Sequence, residues 1–171
     1  MVETAAELCL SGAPAVNVGM LIRRPVEEVF EAFVDPAITS KFWFTGGSGR
    51  LGPGARVRWE WAMYGASADV RVTAFEEQRR IAIEWGSPGG DDWTSVEWTF
   101  DSRPDGTLVN ITNQGFKGNG DEVCAAACDA MQGFAFTLAA AKAYLEHGIQ
   151  LNVVADHFPD AHVEGWQEKG A

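Results

Sequence analysis

The sequence predicts an α+β domain in which an antiparallel sheet of about six strands carries its helices on one face. Short segments of alternating apolar and polar residues follow one another from residue 56 to residue 113 with only turn-sized gaps. Such gaps leave no room for crossover helices, so the strands are antiparallel. A helical pattern follows the first strand, and a long one closes the series. The length agrees, since 171 residues are enough for one core that buries roughly 70% of the unfolded chain's surface.

Residues 1–14 show no sustained period and read as a poorly ordered lead-in to a domain spanning 15–148. Val16, Val18, Met20 and Ile22 then alternate as a strand with one buried face. Pro25 opens a helix in which Val26, Val29, Phe30, Phe33 and Val34 share a face. It stops at Asp35-Pro36, where Asp35 caps a second short helix running to about Trp43. Five glycines and a proline between Thr45 and Gly54 predict a loop.

Val57, Trp59, Trp61 and Met63 alternate in the next strand. Val70 and Val72 begin a third, Ile81, Ile83 and Trp85 a fourth, and Val96, Trp98 and Phe100 a fifth. Pro104-Asp105-Gly106 turns the chain into a sixth, Thr107–Asn113. A helix from Asp121 to Glu146 follows, closed by Gly148; about 26 residues at 1.5 Å each span roughly 39 Å, the whole face of a sheet. Its inner face reads Cys124, Ala127, Met131, Phe134, Leu138, Ala141 and Leu145, with Asp129, Gln132, Lys142 and Glu146 outward. The extension 149–171 carries Val153, Val154, Phe158 and Trp166, and either folds back or meets a second copy in a homodimer.

Lys and Arg number 13 against 24 Asp and Glu, a net charge of −11. That balance argues against nucleic acid and anionic membranes, which are bound mainly through Lys and Arg. No apolar run reaches the roughly 20 residues of a membrane span, and the first 16 residues lack a signal-peptide pattern. Cys9, Cys124 and Cys128 do not form a disulfide framework. A soluble, cytoplasmic protein with reduced thiols is the expectation.

Seven Trp, ten Phe and two Tyr make 11% of the chain aromatic, and they supply the candidate site. Trp59, Trp61, Met63, Trp85 and Trp98 on inward strand faces, opposite Met131, Phe134 and Leu138 of the long helix, would wall a chamber for a flat or greasy small molecule. The bland alternative is that the rings only fill the core. Trp43, beside the glycine loop, is the candidate mouth residue. Asn113 shares the parity of Val109 and Ile111, so its amide either faces a ligand or bonds to nearby backbone.

Gly47-Ser-Gly49-Arg-Leu-Gly52 matches a dinucleotide fingerprint, but it lies between a helix and a strand, the reverse of the order such a site needs. No cofactor is expected. Asp156, His157, Asp160 and His162 are interrupted by Pro159 and read as a solvated tail, not a metal site. Cys124 and Cys128 fall toward the buried side of the helix, where thiols are inert. Glu60, Glu84 and Glu97 alternate outward, and no nucleophile is paired with a base, so enzymatic activity is not expected.

The segment Ile22–Pro36, the short helix ending in Phe42-Trp43, the Leu51-Gly-Pro-Gly54 lead into a strand, and Gly133-Phe134, Leu138 and Tyr144-Leu145 in the last helix resemble the START-like (SRPBCC) superfamily. Within it they are similar to the C-terminal domain of the activator of heat-shock protein 90 ATPase. The resemblance covers residues 16–148 and implies a helix-grip fold: a curved sheet wrapped around the C-terminal helix, with an apolar cavity between them. Two departures stand out, Phe134 where many relatives carry Trp and Asn113 where they carry His. Residues 1–14 hold no counterpart of the chaperone activator's separate N-terminal domain. The expected function is binding of a small hydrophobic molecule, aromatic or lipid-like. A chaperone-interacting module and a polyketide cyclase- or hydrolase-like enzyme are the alternatives that the resemblance brings.

Overall fold

The alternation that begins at Val16 builds β1 (Val16–Ile22), buried at both ends. The computed structural model of the chain describes residues 8–167. After β1 come α1 (Val26–Val34) and α2 (Pro36–Thr39), then β2 (Gly46–Gly47), β3 (Arg56–Trp61), β4 (Ala66–Glu76), β5 (Arg80–Gly86), β6 (Thr94–Arg103) and β7 (Gly106–Gln114). All pairs are antiparallel, and the order across the sheet is β1-β7-β6-β5-β4-β3-β2. With α3 (Gly120–His147) across its concave face, this is the helix-grip arrangement that the resemblance implies.

The strands number seven, not about six, because the expected loop contributes Gly46 and Gly47, which pair with Glu60 and Trp59. Glycine is required at 47: a Cβ there would lie 2.9 Å from Cβ of Pro36, so a side chain would push α2 off the sheet edge. β3 ends at Trp61, earlier than expected. Ala62–Tyr64 is a 3-10 turn ending on left-handed Gly65, and it carries Met63 out of the strand face.

The expected helix to Trp43 stops at Thr39. Phe42, Trp43 and Phe44 are all buried, in the irregular segment that leads from α2 to β2. In β4 the register shifts between Val72 and Ala74, a bulge that sharpens the bend of the sheet and accompanies an edge-on contact of Phe75 with Phe30 at 5.4 Å. On the outer face Glu84 and Glu97 pair with Arg71 and Arg80 at 2.6 Å.

An Asn119–Glu122 capping box starts α3 and left-handed Gly148 ends it. Its C-terminal half is tied to β1, where the Lys142 ammonium donates to the Leu21 carbonyl at 2.8 Å and Glu146 accepts from the Arg23 amide at 2.6 Å. By length and composition α3 is apolar enough to cross a membrane, but here Leu138, Ala140 and Ala141 are buried in the core. The tail folds back on the domain. α4 (Val153–His157) receives a hydrogen bond from the Tyr64 hydroxyl at the Val154 carbonyl, and the Val163 amide donates to Met63.

Candidate functional site

The N-terminal half of α3 turns Ala126, Ala130 and Gly133 toward the sheet, opposite Trp85 of β5, Ala68 of β4 and Asn113 of β7. Side chains this small cannot bridge the gap. They leave an open pocket of about 450 Å³, within the roughly 300–1,000 Å³ typical of small-molecule sites. Trp43, Trp85 and Phe134 give it aromatic walls, and Ser87, Asp92, Lys117 and Asp129 ring it with polar groups. A second hollow of about 400 Å³ lies by Arg56, Arg58, Asp69, Arg71 and Trp93. There Arg58 pairs with Asp69 at 2.9 Å, and Arg71 covers the Trp93 ring at 4.6 Å while pairing with Glu84 at 2.6 Å.

Of the residues singled out in the sequence, the pocket brings together Trp43, Trp85, Asn113 and Phe134. Trp43 is less a mouth than a hub. Its ring lies 4.9 Å from Trp59 and 6.1 Å from each of Trp61, Trp85, Trp98 and Phe134. Trp59, Trp98 and Leu138 are sealed behind it as core, so much of the expected chamber is filled by its own rings. Trp61 is half-buried against Phe44, and Met63 is buried near the tail. Met131 is 49% exposed and stands outside the pocket, on a stretch of α3 that has little opposite it to pack against.

The same half of the helix departs from two further expectations. Cys124 and Cys128 are exposed, not turned to the buried side, and Asp129, expected to face outward, lines the pocket. The Cys124 thiol is held above its ordinary range by Cys128 first and by desolvation next, the opposite of an activated nucleophile. Among the described residues no three His, Cys, Asp or Glu are placed to hold a metal. His157 bonds Gln132, and His162 donates to the Ala155 carbonyl.

The polar corner is built across three strands. Thr94 lies opposite Trp85 in the β5–β6 register, and Asn113 opposite Val96. The Trp85 indole N–H donates to the Thr94 hydroxyl at 2.9 Å, and the Asn113 amide donates to the same oxygen at 3.2 Å and to the Ser95 carbonyl at 2.8 Å. Asn113 is therefore both expected things at once, bonded to nearby backbone and present in the pocket wall. At the rim the Asp92 carboxylate accepts from the Ser87 hydroxyl at 2.7 Å and the Ser87 amide at 2.9 Å. These bonds, with Lys117, hold its pKa below the usual aspartate value. Lys117 itself donates to the Asp91 carbonyl. One buried donor, the Trp98 indole nitrogen, lacks a partner among the described residues.

Ser87, Asp92, Thr94 and Lys117 were not singled out from sequence, since polar residues beside turns read as solvated. The signal for Thr94 was present in the hairpin pairing that sets it against Trp85.

Residues 23–146 match the family model described as Activator of Hsp90 ATPase homolog 1-like protein. No curated protein matches the chain. Protein SSP2350 of Staphylococcus saprophyticus, a solved structure, is 28% identical with a TM-score of 0.69 over 81% of this chain and 96% of that one. DynU16, a protein in the dynemicin biosynthetic locus, is 24% identical with a TM-score of 0.67 over 80% of this chain and 48% of that one. The Aha1 dimer of Colwellia psychrerythraea gives 18% identity and a TM-score of 0.68 over 79% of this chain and 98% of that one. At those identities the last two share the fold alone.

Proposed function

This chain belongs to the Activator of Hsp90 ATPase homolog 1-like family, and on that premise we propose that its pocket binds a small apolar molecule, aromatic or lipid-like. The observation that carries the proposal is the mismatch across the gap: Ala126, Ala130 and Gly133 on the helix face Trp43 and Trp85, with Phe134 of the same helix closing one side, leaving about 450 Å³ empty. Binding without chemistry fits better than a cyclase or hydrolase. The most deeply placed polar side chain of the wall, Asn113, is neutral, and a general acid or base needs an ionisable group held out of water. Free Cys9, Cys124 and Cys128 suit a reducing, cytoplasmic setting.

A thermal-shift panel of naphthalene, anthraquinone and palmitate tests this. A probe that binds only the folded protein adds about 2.7 kcal/mol at 100 times its Kd, and Ala130→Trp, which fills the gap, removes the rise. A panel with no shift on the native chain, or an equal shift on Ala130→Trp, overturns the proposal.

A further inference from the structure

We infer that the pocket selects uncharged aromatic molecules bearing a hydrogen-bond acceptor and donor side by side, such as a primary carboxamide or a hydroxy-carbonyl pair, and discriminates against carboxylates. The inference rests on the ligand-binding reading above and deepens it.

The amide orientation of Asn113 is fixed by chemistry. Its Nδ2 lies 2.8 Å from the Ser95 carbonyl, which can only accept, so this prong must be the NH2. The other prong is then the carbonyl oxygen. It accepts from no described residue, and since only the Trp98 nitrogen is both sealed and unpartnered, the Asn113 oxygen is not sealed but just reaches the wall of the pocket that its side chain lines, in a residue 1% exposed.

Thr94 is fixed in the same way. A hydroxyl has two acceptor lone pairs and one proton. Trp85 Nε1 and Asn113 Nδ2 both donate to Oγ1 and occupy the lone pairs. The proton must therefore point elsewhere, and no described residue receives it. The corner thus presents one acceptor and one donor, beside the Trp85 ring. A ligand group with the complementary pair satisfies both, whereas a hydrocarbon leaves both unpaired as it displaces water.

Charge at the rim decides between a neutral group and an anion. Asp92 and Asp129 stand against Lys117 alone in the lining. Lys117 is already engaged by the Asp91 carbonyl and by the field of Asp92, so Asp129 remains uncompensated in a chain of net charge −11. A carboxylate would also meet the Asn113 oxygen acceptor to acceptor.

Three probes of one shape test this on the full chain by calorimetry at neutral pH: 2-naphthamide, 2-methylnaphthalene and 2-naphthoate. The two extra hydrogen bonds should make the amide bind roughly tenfold tighter than the hydrocarbon, with the naphthoate weakest. Thr94→Val and Asn113→Leu should each reduce the amide's advantage to about threefold or less, while Thr94→Ser retains it; comparing probes within one variant removes any effect on overall stability. Equal affinity for amide and hydrocarbon, or tightest binding of the naphthoate, overturns this inference and leaves the pocket proposal standing. Failure of all three probes to bind overturns this inference, and a thermal-shift panel equally silent with anthraquinone and palmitate overturns the pocket proposal as well.

Discussion

In the C-terminal half of α3, Phe134, Thr137, Leu138, Ala140 and Ala141 are buried, whereas in the N-terminal half Val123 alone is. The residue types differ little, with Ala prominent in both. What differs is the partner. The C-terminal half lies on β1 and is clamped by Lys142 and Glu146, while the N-terminal half spans the open end of the sheet with Ala126, Ala130 and Gly133 on its underside. One helix thus serves as core at one end and as the roof of a pocket at the other. Small side chains acquire opposite meanings in the two settings: close approach in the first, empty space in the second.

Truncation should separate the halves most sharply. Leu138 is fully buried, and Leu138→Ala should cost about 2–5 kcal/mol of unfolding free energy through lost burial and the cavity left behind. Met131→Ala, seven residues earlier on the 49% exposed side, should stay within about 0.5 kcal/mol. Urea denaturation of both variants measures the contrast. A comparable loss at Met131 would mean that the roof is packed against something in solution and that the halves are not different in kind.

The same contrast explains how much was legible in the sequence. Strand alternation located β1 and each strand from β3 to β7 through Val, Ile and Trp, whose size makes burial obligatory. Leu138 and Phe134 were legible for the same reason. Ala126, Ala130 and Gly133 carried no such signal, because alanine and glycine are equally at ease facing solvent, a core or a void. Spacings of 3 and 4 extended from Leu138 back to Cys124 then reached exposed residues, because the N-terminal half spans the open end of the sheet with little opposite to bury them; the drift of about 20° per heptad is too small to expose them alone. The rings of Trp59, Trp61, Trp85, Trp98 and Phe134 gather around Trp43, but a count of rings cannot tell whether they line a space or fill it. Here Trp59 and Trp98 fill it, and only Trp43 and Trp85 among the tryptophans reach the pocket.

The clamp on the C-terminal half gives an effect of intermediate size and a pH signature. Burial alone would raise the Glu146 carboxyl, but the Arg23 amide and the Lys142 ammonium outweigh it and hold the pKa below its ordinary 4.5. A group whose folded pKa is depressed stabilises fully above its unfolded value, and that contribution is lost as pH falls through the folded value. Glu146→Gln should therefore cost about 1–3 kcal/mol at pH 7, where it removes a charge-assisted bond from a side chain only 10% exposed. The gap between variant and native chain should close on acidification below about pH 4.5. Denaturant midpoints from pH 3 to pH 7 read it directly, and a gap independent of pH would remove Glu146 as the anchor.

The smallest effect is the most informative about the roof. Gly133 sits where the two halves join, and its carbonyl accepts from the Thr137 hydroxyl at 2.9 Å. A Cβ at 133 would meet no heavy atom within 4 Å, so Gly133→Ala adds helix propensity without a clash. The gain should be about 0.8–1 kcal/mol if the N-terminal half unfolds together with the core. If the roof opens on its own, extra propensity there slows amide exchange between residues 120 and 133 and leaves the global midpoint where it was. Midpoint and exchange measured on the same variant therefore distinguish a roof that is part of the cooperative core from one that opens separately. The second would also widen the open pocket while β1 and the C-terminal half of α3 stay folded.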